Sequence, residues 1–209
     1  MTRNFLVAIS TILFLLRPAI AGETSVGVTR TDDIDARFDG GRMEVALMAG
    51  AAGAPVLGPG GISYIYTATE LRAGWMLYTP HRGSWLSGNF EVFGMVGGGG
   101  MLRGFGSYVV TSDLLLRYNF VQPGARIVPY LQAGAGVFYS DISQHHQQED
   151  IGNTIEADLR GGPGVKFLLN AQWSIDTEMY IEHISNAGTS DRNVGINSLG
   201  GLIGVSRAF

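Results

Sequence analysis

The chain of 209 residues contains no cysteine. Disulfides, thiolate metal sites and a thiol nucleophile are therefore excluded. Charge is sparse. Only 15% of residues are charged and the net charge is −4, so no basic surface points to nucleic acid. Beyond the N-terminus no apolar run approaches the roughly 20 residues that a membrane-spanning helix needs. There is no G-x-S-x-G elbow, so a soluble α/β-hydrolase finds no support. Gly97-Gly98-Gly99-Gly100 is followed by neither a Lys-Ser/Thr pair nor a helix, and it reads as a flexible loop instead of a phosphate cradle.

What the chain does have is glycine and alternation. It carries 31 glycines and is 45% hydrophobic, and the glycines lie inside apolar stretches instead of forming a linker. The first residues resemble an export signal. Arg3 precedes an apolar run over residues 5–16, and Ala19-Ile20-Ala21 is a small-x-small cleavage site. Cleavage after Ala21 removes Arg3 and Arg17 and leaves a more acidic mature chain. Residues 22–41 are acidic and turn-rich, and read as a mobile periplasmic lead-in.

An exported chain without helical spans is either soluble or a membrane barrel, and periodicity favours the barrel. Ile155, Ala157, Leu159, Gly161, Pro163, Val165 and Phe167 fall on one face of an extended strand. Glu156, Asp158, Arg160 and Lys166 fall on the other. This strict period of two runs far enough to span a membrane. The next segment repeats it, with Trp173, Ile175, Thr177, Met179 and Ile181 opposite Ser174, Asp176, Glu178, Tyr180 and Glu182. The acidic side of that segment is expected to meet Arg160 and Lys166 across a barrel interior. Further segments at 42–50, 63–77, 89–97, 108–120, 128–139 and 196–209 bring the total to eight strands. The predicted fold is all-β, an eight-stranded antiparallel transmembrane barrel over residues 42–209. Its lumen, filled by side chains, leaves little room for a channel. A soluble periplasmic barrel or sandwich is the runner-up.

An even strand count puts both termini in the periplasm and the longer loops outside. The polar stretch 144–152 fits an extracellular loop, and 121–126 and 170–172 fit short periplasmic turns. The stretch 80–88 is longer than that rule predicts. Trp75, Trp85 and Trp173 read as an interface girdle. Phe209 ends the last alternating strand, which resembles the signal read by the barrel-assembly machinery, and Arg207 can snorkel to the interface.

Candidate chemistry lies at the outer end of the seventh strand. By alternation His183 and Ser185 share the lipid-facing side with Met179 and Ile181. Two residues apart on one strand, they are about 6–7 Å apart at the backbone, within reach for a nucleophile and its general base. Polar groups facing lipid are costly and so suggest use, although at headgroup level the cost is small. The tract His145-His146-Gln147-Gln148-Glu149-Asp150 has ligands for a divalent cation, against a simpler reading as a solvated loop.

His183-Ile184-Ser185-Asn186-Ala187-Gly188, followed by Asn193-Val194-Gly195-Ile196, resembles the C-terminal motif of the PagL family. These are outer-membrane lipid A 3-O-deacylases, eight-stranded barrels with a lipid-facing His-Ser-Glu triad. The close match covers roughly the last 30 residues; upstream only the strand plan and residues 130–137 look similar. The resemblance implies Ser185 as nucleophile, His183 as base, and Asn186, Gly188 and Asn193 in the loop that supports the oxyanion. It implies lipid A or lipopolysaccharide as substrate within the outer membrane, and no cofactor. Homodimerisation is left open.

One position departs from the family pattern. The triad carboxylate falls on Asn197, which shares the lipid-facing register of Leu199 and Ile203. An Asn can orient an imidazole but does not stabilise imidazolium by charge, and in a serine triad that change costs about four orders of magnitude. Three readings stay open: Asn197 as third member of a weaker enzyme, a substitute acid such as Asp191, or a non-catalytic barrel with a structural, lipid-binding or surface role. Glu182 adjoins the pair in sequence but points inward.

Overall fold

The computed structural model describes residues 34–54, 63–81 and 83–209; the export-signal reading of residues 1–21 lies outside them. Eight antiparallel strands form a closed barrel: β1 (Met43–Ala54), β2 (Tyr64–Met76), β3 (Gly88–Arg103), β4 (Tyr108–Phe120), β5 (Ile127–Ser140), β6 (Ile155–Leu168), β7 (Trp173–Ser185) and β8 (Ile196–Ala208). Each strand pairs with the next, and β1 pairs with β8 from Glu44↔Ala208 to Gly53↔Leu199. Closure leaves no open sheet edge, the one condition under which a sheet is tolerated in lipid. Among the described residues no helix is long and apolar enough to span a membrane.

Burial alternates residue by residue, as the sequence predicts. On β6, Ile155 and Leu159 are exposed on the outer wall, while Glu156, Asp158, Arg160 and Lys166 are buried in the lumen. On β7 the exposed Met179 and Ile181 face outward and Glu178, Tyr180 and Glu182 inward. A glycine stands where each of two lumenal tyrosines is seated. A Cβ at Gly164 would lie 2.1 Å from the Tyr130 ring, and one at Gly200 2.1 Å from the Tyr180 ring.

The lumenal charges pair, though not all as expected. Lys166 bonds Asp176 at 2.9 Å and also reaches Glu44 across the barrel. Arg160, expected to meet the acids of β7, bonds Glu70 of β2 at 2.6 Å and lies over the Tyr180 ring. Glu178 is held instead by both terminal nitrogens of Arg72, at 2.6 and 2.8 Å. A long side chain in a narrow lumen reaches strands that are not its neighbours, so pattern along one strand does not select its partner.

Two expectations about loops are corrected. Gly97-Gly98-Gly99-Gly100 is no loop; it lies within β3, paired with residues 108–111 of β4. A Cβ at Gly99 would lie 1.8 Å from the Thr67 carbonyl oxygen, so this glycine serves close strand approach. The loop after β5 is not simply solvated. It opens with a short 3-10 helix, Ile142–Gln144, and buries Ile142, Gln148 and Ile151 over one mouth of the barrel.

At the opposite mouth, residues Ile34–Phe38 of the stretch read as a lead-in form a 3-10 helix. Phe38 is fully buried against Met76, Val121, Val128 and Leu168. Arg37 enters the lumen and bonds Glu44 at 2.7 Å.

Arg72 holds Glu70 and Glu178 with its side chain only 4% exposed. Removing one partner of such a pair leaves a buried, uncompensated charge, worth about 3–5 kcal/mol. Arg72→Ala is expected to destabilise the barrel by that amount in urea unfolding from phospholipid vesicles.

Candidate active site

Ser185 closes β7 and His183 lies two residues before it, both half-buried on the outer wall at the end of the barrel that carries the β5–β6 loop. The β7–β8 pairing sets His183 directly opposite Asn197. Their side chains meet: His183 Nδ1 and Asn197 Oδ1 are 2.8 Å apart. A carboxamide oxygen only accepts, so the imidazole donates through Nδ1–H. The neutral ring then carries its lone pair on Nε2. This is the tautomer a serine triad needs, with Nδ1 held by an orienting group and Nε2 left for the hydroxyl.

Ser185 and His183 converge on one point. A Cβ built on Gly195 would lie 3.4 Å from His183 Cε1 and 3.7 Å from Ser185 Cβ. Gly195 has a φ of +80°, which favours glycine, so it approaches the pair at a spot that a larger residue would occupy. Across the strand on the other side, Ser185 faces Ala157 of β6. Among the described residues no hydrogen bond joins Ser185 to His183. Catalytic contacts of this kind are often loose without substrate.

Residues 186–195 form a tight, self-bonded loop. The Asn186 N–H donates to Asn193 Oδ1 at 2.9 Å, and Asn186 Nδ2 donates to the Arg192 carbonyl at 2.9 Å. The Gly188 N–H donates to Asn186 Oδ1 at 2.8 Å. Ala187 and Gly188 both take positive φ, which reverses the chain just after Ser185. Asn186, Gly188 and Asn193 are thus gathered beside the pair, with the Asn186 and Gly188 N–H groups already engaged inside the loop. Sequence reasoning missed Gly195 and Ala157 as neighbours of Ser185. The signal for Ala157 was the β6–β7 register, which a single strand's alternation does not supply.

The other sequence candidates stand apart. Asp191 is exposed in the loop, and Asn197 holds the His183 ring in its place. Glu182 is buried in the lumen, where the Tyr66 hydroxyl bonds it. The tract at 145–150 is not gathered as a cation site. Among the described residues no three metal-binding side chains are grouped. His145 instead stacks on Phe105 at 5.4 Å, and Gln148 is buried. The site is an open patch of the outer wall, reached sideways from lipid. A groove of about 430 Å³ lies between Tyr78, His81 and Tyr118, at the opposite end of the barrel.

The family model of lipid A 3-O-deacylase (PagL) matches residues 67–206, from β2 to β8. This chain belongs to the PagL family. The crystal structure of the outer membrane enzyme PagL is 19% identical, with 77% of this chain and 97% of that one covered and a TM-score of 0.46. Neisserial surface protein A is 15% identical over 81% of this chain and 99% of its own, at a TM-score of 0.59. The N-terminal barrel of Pseudomonas aeruginosa OprF is 12% identical over 81% and 98%, at 0.48. The likeness to Neisserial surface protein A carries the fold, that of an outer-membrane barrel. No curated protein is similar enough in sequence to count as a match.

Widening Gly195 tests the convergence of His183 and Ser185 directly. Gly195→Val is expected to displace the His183 ring and shift its imidazole resonances in NMR of the barrel in micelles. Heat-modifiable gel mobility, which reports the folded barrel, stays unchanged. Unmoved His183 signals would contradict the packing described.

Proposed function

We propose that this PagL-family barrel is a serine esterase of the outer membrane that removes the 3-O-linked acyl chain of lipid A. The observation that carries the proposal is the 2.8 Å contact of His183 Nδ1 with Asn197 Oδ1, on the lipid-facing wall that Ser185 shares. It supplies an oriented base beside a hydroxyl at the level of the outer leaflet, where lipid A lies.

In this reading Ser185 Oγ attacks the ester carbonyl and His183 Nε2 takes the hydroxyl proton. The tetrahedral oxyanion forms on the side of the loop held by Asn186, Gly188 and Asn193, replacing an acceptor that the loop N–H groups use at rest. Collapse breaks the carbonyl–oxygen bond to the sugar, and His183 returns its proton to the departing 3-hydroxyl. Water, deprotonated by His183, then cleaves the acyl-serine and releases the 3-hydroxy fatty acid. These steps need no cofactor. Asn197 fixes the ring's tautomer but brings no charge to the imidazolium, so turnover is slow relative to a carboxylate triad. Export through a cleaved signal at residues 1–21 and insertion by the barrel-assembly machinery through Phe209 belong to the same reading.

The neutral Asn197 also favours a second reading, a non-catalytic barrel with a structural, lipid-binding or surface role. Mass spectrometry of lipid A from cells with and without the protein separates the two. The enzyme removes one 3-hydroxyacyl group, and unchanged lipid A at good expression leaves the second reading. With purified lipid A in detergent, Ser185→Ala is expected to abolish release. Asn197→Glu is expected to keep or raise it, and complete loss would contradict the role of Asn197.

A further inference from the structure

The loop beside Ser185 does not stand alone. It is docked onto the capping loop of residues 141–154, which has its own internal support. There Gln148 closes the chain on itself, its Nε2 donating to the Ile151 carbonyl at 2.7 Å and its Oε1 accepting the Ile151 N–H at 2.8 Å. The Tyr64 hydroxyl of β2 bonds Asp150 at 3.0 Å and ties the cap to the far wall of the barrel.

Arg192 supplies three of the hydrogen bonds between the two loops, beside the bond of Asn153 Nδ2 to Thr189 Oγ1 at 2.9 Å. Its Nη2 donates to the Ser143 carbonyl at 2.9 Å, and its Nη1 to the carbonyls of His145 at 3.3 Å and Gln148 at 3.5 Å. All three acceptors are main-chain oxygens, spread over six residues of the cap. The planar fork of a guanidinium can reach several of them at once, whereas a lysine ammonium is a single point. Immediately afterwards the Val194 N–H donates to the Glu149 carbonyl at 3.2 Å, and the Gly195 N–H to the Asp150 carbonyl at 3.0 Å. Gly195 is the residue whose Cβ, were it present, would stand against His183 and Ser185. The cap therefore holds the loop at Arg192, Val194 and Gly195, and a Cβ at the last would meet the pair.

We infer that Arg192 is a positioning residue, locking the β7–β8 loop onto the cap and so setting where Gly195, His183 and Ser185 stand relative to one another. Its kinetic consequence rests on the deacylase reading above; the docking itself does not. A displacement of about 1 Å at such a site costs on the order of a hundredfold in rate.

The test uses the full barrel with Arg192→Ala and Arg192→Lys, read by hydrogen–deuterium exchange and by lipid A hydrolysis. Arg192→Ala is expected to raise exchange in residues 141–154 and 186–195 together, with the strands still protected. In the same variant kcat is expected to fall about a hundredfold with KM nearly unchanged. Added guanidinium ion restores part of the rate, and Arg192→Lys restores less than full rate. Exchange that rises only around residue 192, with the cap and residues 194–195 unaltered, overturns the inference. So does an unchanged kcat in an active barrel. If the unmodified protein releases no fatty acid, the deacylase reading fails, and the exchange pattern alone decides the role of Arg192.

Discussion

Lipid offers a peptide group nothing to bond with, so the pairing of β1 with β8 is the contact on which the molecule depends. Once the sheet closes, each residue must face either lipid or lumen. The wall becomes apolar and the lumen takes the charges. The same division gives the candidate site its meaning. His183, Ser185 and Asn197 are polar residues on the apolar side, near the end where β7 leaves the membrane. In the lumen they would be three more members of a polar network.

The lumen and the wall do different work. Inside, Arg72, Arg117, Arg160 and Lys166 lie among buried carboxylates and tyrosine or phenylalanine rings, with Arg117 4.4 Å from the Phe93 ring centroid and 4.2 Å from that of Tyr130. These contacts tie opposite strands together and fill the space a solute would need. Outside, the strand ends carry a small, shallow patch whose geometry depends on two strands and a loop. A rigid barrel suits such a site, because strand register sets the His183–Asn197 distance more tightly than a flexible segment would.

The cap formed by the β5–β6 loop connects the two. Its buried Ile142, Gln148 and Ile151 close the mouth of the lumen, while its backbone carbonyls receive Arg192 and the amides of Val194 and Gly195. Residues that look like ordinary loop polar groups thus form the floor on which the β7–β8 loop rests. At the other mouth, Phe38 and Arg37 are buried against the strand ends and the lumen. Segments outside the strands thus pack residues into both ends.

The strand plan and the facing of each residue were legible in the sequence, because a closed sheet in lipid imposes a period of two that survives in the chain itself. That legibility extended to the shared outward face of His183, Ser185 and Asn197. It failed at Gly97–Gly100, where four glycines looked like a loop and are strand, since the need for close backbone approach is a property of neighbours. It failed at residues 144–152, whose polarity hid a buried Gln148 and Ile151. Periodicity is local and therefore written along one strand. Which cation meets which carboxylate across the lumen, the 2.8 Å meeting of His183 with Asn197, and the docking of Arg192 on the cap are long-range contacts. Only the register of neighbouring strands and the curvature of the closed sheet decide them.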